Sequence, residues 1–180
     1  MPAAPANDRY VPASIVLHWL MLALMIGAYA AIELRDFYPP GTDTRELLKA
    51  WHYTIGLSVF VLVWLRIAAR LIWAAPAAVE GGWRHALSVA THGALYVLMI
   101  AMPLAGWVIL SAEGDPIPFF GLELPALTGP NHALAEQVEG LHELGGTIGY
   151  WLIGLHATAA LFHHYVLRDG LLTRMVPSRT

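Results

Sequence analysis

The stretch LHELGGTIGYWLIGLH, residues 141–156, places two histidines fourteen residues apart among glycine, leucine, isoleucine and aromatic side chains. At about 100° per residue the two imidazoles fall roughly 40° apart, on one helix face, and about 21 Å apart along the axis. One metal ion cannot span that distance. Two cofactors stacked at different depths can each take one ring. Ionisable side chains in an apolar helix are costly and mark function, so the segment's surroundings decide how the pair is read.

Those surroundings are lipid-like. The chain has 180 residues, 57% of them hydrophobic and only 13% charged, too little charge to cover a soluble surface. Four apolar blocks, residues 13–32, 55–75, 86–112 and 144–167, each approach or exceed the ~20 residues that cross a hydrocarbon core. Backbone groups in lipid must be satisfied internally, which makes each block helical. The expectation is an all-α membrane protein. It is a four-transmembrane-helix bundle and a single domain over residues 1–180, with helices at approximately 13–34, 46–73, 85–112 and 140–167. Pro103 falls inside the third helix, Asn131 can cap the fourth, and the apolar loop 113–131 is expected to fold back as a lid.

With four crossings, Arg9, Arg66, Arg70, Arg84, Arg168, Arg174 and Arg179 share one side, while Arg35, Arg45 and Lys49 lie on the other. The positive-inside rule then puts both termini in the cytoplasm. The absence of cysteine excludes disulfides, iron–sulfur clusters and covalently attached haem. The pattern points to a lipid bilayer as partner and not to nucleic acid.

Depth assigns partners to the two histidines. His18, in the first turns of helix 1, matches His156 on the inner side; His52, early in helix 2, matches His142 on the outer side. Two imidazole pairs from facing helices suit noncovalently held haem b. Gly56 and Gly145 follow the outer histidines and leave room for a flat ring, although glycines in membrane helices also serve close packing. His92 lies at the depth of His18 and rivals it. Arg66 and Arg70 can meet haem propionates or simply snorkel as inner-side markers. His163 lies near the ligand face at the inner end of helix 4 and can hydrogen-bond a quinone, whereas His164 points elsewhere. The bland reading of both is a polar cap. Arg45 and Lys49 form a small basic stripe above the outer pair.

The segments SIVLHWL, WHYTIGL and LHELGGTIGYWLIGLHATAALFHHY together make the chain resemble the bacterial cytochrome b-561 family, over nearly its whole length. The resemblance implies two haems, with His18 and His156 on the inner iron and His52 and His142 on the outer. It implies a multi-pass protein of the bacterial inner membrane. It also implies an oxidoreductase activity: superoxide oxidised on the periplasmic side and ubiquinone reduced through the haems. On that outer face Arg35, Arg45 and Lys49 are the cations that can attract the anion. The alternative is a cytochrome b subunit passing electrons between a periplasmic dehydrogenase or hydrogenase and the quinone pool. A haem-free transporter using the histidines as metal ligands is a third reading, and the depth pattern of four histidines disfavours it.

Overall fold

The computed structural model describes residues 9–73, 75–76 and 81–176, so Arg179 lies outside the described residues. Within them run four long helices: α1 (Pro12–Leu34), α2 (Asp43–Ile72), α3 (Gly82–Glu113) and α4 (His132–Phe162).

Local chemistry sets their ends. Pro12 opens α1, where its missing N–H is not needed, and α1 tightens into a 3₁₀ turn at Arg35–Phe37 before the proline pair. Asp43 and Glu46 sit in the first turn of α2, where carboxylates suit the positive end of the helix dipole. α3 runs through Pro103 and stops at Gly114, whose φ of 80° is left-handed and costs glycine no Cβ clash. Asn131 Oδ1 accepts from the Leu134 N–H at 3.2 Å, so the expected cap is the true start of α4.

That start at His132 differs from the expected position near 140. The first two turns carry Glu136 and Glu139 and stand above the apolar block, so hydropathy does not register them. Beyond Phe162 the helix widens into a π-helical turn, His163–Leu167, and ends at Arg168 with φ of 54°.

α1 with its 3₁₀ extension, α2 and α3 are each long and apolar enough to cross a membrane. α4 has comparable length, with its glutamates confined to the turns before residue 144. Its exposed stripe, Leu141, Leu144, Ile148, Trp151 and Leu155, recurs every three to four residues. That stripe faces outward as a lipid-contacting surface and completes the four-transmembrane-helix bundle.

α1 packs on α2, α2 on α3, and α3 on α4. Met21, Val59 and Val63 form one core cluster, packed by Leu24, Met25, Tyr96 and Met99. Leu57, Leu110 and Ile117 form another, packed by Tyr53, Trp107, Phe119 and Leu124. Ile117 belongs to the loop after α3, which does fold back as a lid. Its short strands β1 (Pro118–Phe119) and β2 (Leu122–Glu123) pair antiparallel. The Asn131 N–H donates to the Ala112 carbonyl at 2.8 Å, and Trp107 Nε1 donates to the Pro125 carbonyl at 3.0 Å. The start and end of the described chain meet at one end of the bundle, where Trp19 Nε1 donates to the Met175 carbonyl at 2.7 Å.

Candidate functional site

The bundle brings a histidine from another helix to face each of His142 and His156 on α4. His52 of α2 faces His142 with ring centroids 6.2 Å apart, and His18 of α1 faces His156 at the same separation. An imidazole nitrogen–metal bond is about 2 Å, so two rings on opposite sides of one metal hold their centroids roughly 6 Å apart. Both pairs have that spacing.

The outer pair is in order to accept a metal. His52 Nδ1 lies 2.9 Å from the Ala28 carbonyl, and donating there leaves its Nε2 lone pair free. His142 Nδ1 is buried with no partner in hydrogen-bond geometry, the Met102 carbonyl being its neighbouring acceptor. Gly106 of α3 stands close by, where an added Cβ would lie 3.5 Å from His142 Cε1. Around the pair is a cavity of about 510 Å³, lined by His52, Gly56, Met102, Gly106, His142 and Gly146 among others. That volume is typical of a cofactor site. The missing side chain of Gly56 faces open space, while Gly145 is turned to α3, where Met102 Sδ fills the place a Cβ would need. Gly146, one residue on, is the glycine of the cavity wall.

The inner pair has a third neighbour. His92 of α3 stands 5.2 Å from His156, centroid to centroid, and its Nδ1 lies 2.6 Å from the Ser88 carbonyl. Arg66 Nη2 donates to His18 Nδ1 at 3.1 Å and its Nε donates to Tyr96 Oη at 3.2 Å, while Nη1 is buried without a partner. Arginine only donates, so His18 carries its own proton on Nε2 in this arrangement. Freeing that nitrogen for a metal requires the guanidinium to release Nδ1, a shift that an entering anionic group favours. Arg70, one turn along α2, is exposed and stands apart from this contact.

The mouth of the outer cavity differs from the basic stripe expected there. Lys49 lines it, with Nζ 3.0 Å from Glu46 Oε2. Arg45 does not. Its Nη1 donates to the Arg35 carbonyl at 2.9 Å and the Tyr38 carbonyl at 3.0 Å, and its Nη2 lies 3.2 Å from Asp36 Oδ1, so it ties down the 3₁₀ turn. Arg35 lines the cavity in its place. At the other end of α4, His163 Nδ1 meets Asp169 Oδ2 at 2.5 Å, and Asp169 Oδ1 accepts from the Leu171 N–H at 3.0 Å. Burial pushes the Asp169 carboxyl up, but the hydrogen bonds from His163 and the Leu171 amide outweigh it and hold the group below its ordinary value.

Interior imidazole pairs at two depths, a cofactor-sized cavity around one of them and a chain without cysteine fit noncovalent haem of the b type. The class is thus that of a membrane cytochrome b built on four helices. Comparison with known proteins gives the same class: the family model described as prokaryotic cytochrome b561 matches residues 9–178. Cytochrome b561 homolog 1 of Escherichia coli is 34% identical over 174 residues, covering 96% of this chain and 99% of that protein. A probable superoxide oxidase of Yersinia pestis is 37% identical over 175 residues, 96% and 98% of the two chains. Cytochrome b562 of Cereibacter sphaeroides is 32% identical over 176 residues, 94% and 96% of the two. The chain belongs to the prokaryotic cytochrome b561 family, multi-pass bacterial membrane proteins that carry electrons through b-type haem.

Proposed function

We propose that this chain holds two b haems and moves single electrons across the inner membrane, from superoxide on the periplasmic face to ubiquinone. The observation that carries the reading is the pair of imidazole pairs, each 6.2 Å between centroids, strung fourteen residues apart on α4. His52 with His142 would hold the outer iron and His18 with His156 the inner. Haem iron supplies one-electron redox chemistry when bound. Two superoxide anions each lose one electron and leave as dioxygen, and the quinone takes up those two electrons with two protons.

The chain's own residues position, charge and protonate. Arg35 and Lys49 give the acidic outer mouth its two cations. Arg66, whose buried Nη1 is unpartnered, is placed to meet an anionic edge beside His18. His163, tied to Asp169 through its Nδ1, is read as the group that passes a proton to a quinone carbonyl at this end of α4. The similarity to a probable superoxide oxidase supports the choice of donor. The experiment is direct: generate superoxide enzymatically, follow the haem bands of the purified protein, and add a ubiquinone analogue. The bands should reduce, then reoxidise with quinone. Bands that stay oxidised under superoxide would sink the donor assignment.

A second reading has its own observation. The lid carries exposed Phe120 and Leu122, 69% and 68% accessible, on the outer side. Such a patch suits a docked periplasmic dehydrogenase or hydrogenase, with this chain as its cytochrome b subunit. A large partner that co-purifies and reduces the haem bands would favour it.

A further inference from the structure

We infer that Tyr29, Tyr150 and Glu33 form a latch across the side of the bundle between α4 and α1, and that this latch retains the outer haem. The inference rests on the two-haem reading above. A ring of four helices has four sides. Three of them, α1 on α2, α2 on α3 and α3 on α4, are sealed by close helix packing. Between α4 and α1 the backbones make no comparable approach, although both helices line the outer cavity.

In the outer half, what the described residues place across that fourth side is a chain of side chains. Tyr29 Oη of α1 donates to the Gly146 carbonyl of α4 at 3.0 Å. Its ring lies 4.3 Å from that of Tyr150, tilted by 45°. Tyr150 Oη in turn donates back to Glu33 Oε1 of α1 at 2.7 Å. The seat is built for this. A Cβ on Gly149 would collide with Tyr29 Oη, and the space that glycine leaves is what lets the phenol reach α4. All three latch residues line the cavity that holds His52 and His142.

An apolar macrocycle that exchanges with the bilayer passes where helices are not packed together, so the strength of the crossing contacts governs how readily it leaves. The phenol–carboxylate bond is charge-assisted and is the stronger of the two; the phenol–carbonyl bond is the weaker. Tyr150→Phe and Tyr29→Phe each delete one hydroxyl and keep the ring, so the packing survives. Tyr150→Phe should speed loss of the outer haem about tenfold and Tyr29→Phe about threefold, the ordinary worth of one such bond.

The test uses the haem-loaded protein in detergent with excess apomyoglobin as haem acceptor, followed by absorbance. Haem content per chain is measured first, and the outer phase is identified by its disappearance in His142→Ala. The expected result is that only the outer phase accelerates in the tyrosine variants, the inner phase keeping its wild-type rate. Outer loss at the wild-type rate, or equal acceleration of both phases, would overturn the latch. A wild-type protein with fewer than two haems per chain would overturn the two-haem reading, and the latch with it, which is a distinct outcome.

Discussion

Three histidines converge on the inner side, and a single substitution separates them. His92 keeps its Nδ1 on the Ser88 carbonyl and stands nearer His156 than His18 does, whereas the ligand proposed for the inner iron is His18. On the two-haem reading proposed above, replacing His18, His52, His142 or His156 by alanine should lower the haem content from two to one per chain, measured by pyridine haemochrome. His92→Ala should keep both; a loss of one haem there would make His92 the inner ligand. Arg66 acts beside the same pair. A fixed cation near iron favours the reduced state, so Arg66→Leu should lower one of the two midpoint potentials by an amount on the order of tens of millivolts. Potentiometric titration reads this directly, and an unchanged potential would reduce Arg66 to a packing role.

At the scale of elements, α4 shows how packing constrains composition. Its Gly149 is buried between Tyr29 and Leu98, and an added Cβ would lie 3.0 Å from Leu98 Cδ1 besides striking the phenol. Gly149→Ala is expected to cost about 1–3 kcal/mol, the usual range for overpacking, read as a lower melting midpoint in detergent. The π-helical turn at the inner end carries a pH dependence through Asp169. Its folded carboxyl lies below its ordinary value, so the stabilisation is present above the unfolded value near about 3.9 and is lost as pH falls through the folded one. Protection of the Leu171 amide against hydrogen exchange should hold at neutral pH and fall away in acid; Asp169→Asn should abolish that change.

Much of this was legible from residue order, because it depends on period. Fourteen residues is close to four helical turns, so the shared face of His142 and His156 needs no tertiary information. The apolar blocks likewise locate the helices where they cross lipid. What depends on contacts between helices was not legible. Arg45 and Arg35 look equally available in the sequence, and only the 3₁₀ turn at Arg35–Phe37 turns one guanidinium into a brace and the other toward the cavity. Gly145 and Gly146 differ by 100° of rotation, enough to send one against Met102 and the other to the cavity wall. Tyr29 and Tyr150 sit in separate segments with no periodic signal linking them, although two tyrosines in apolar helices could have been asked where their hydroxyls go.

For the whole molecule, the electrostatics of the outer mouth decide how it would meet an anionic donor. The cavity is lined by Glu33, Asp36, Glu113, Asp115, Glu139 and Glu143 against Arg35 and Lys49, so carboxylates outnumber cations there. The two cations do not act alone: Lys49 is paired with Glu46, and Arg35 Nε lies 3.4 Å from Asp36 Oδ1. A superoxide anion arriving from bulk water therefore meets net repulsion beyond the first contact. Salt screens such exposed charges, with a Debye length of about 10 Å at 0.1 M, and so weakens that repulsion. The rate at which superoxide reduces the haem bands should consequently rise with ionic strength. Lys49→Gln should slow it at every salt concentration, because the local cation is then gone while the acids remain. Stopped-flow measurements across a salt series test both signs at once. A rate that falls with salt would mean that Arg35 and Lys49 dominate the field at the haem edge. A rate indifferent both to salt and to Lys49→Gln would place electron entry away from this mouth, at the apolar lid where a protein donor could dock.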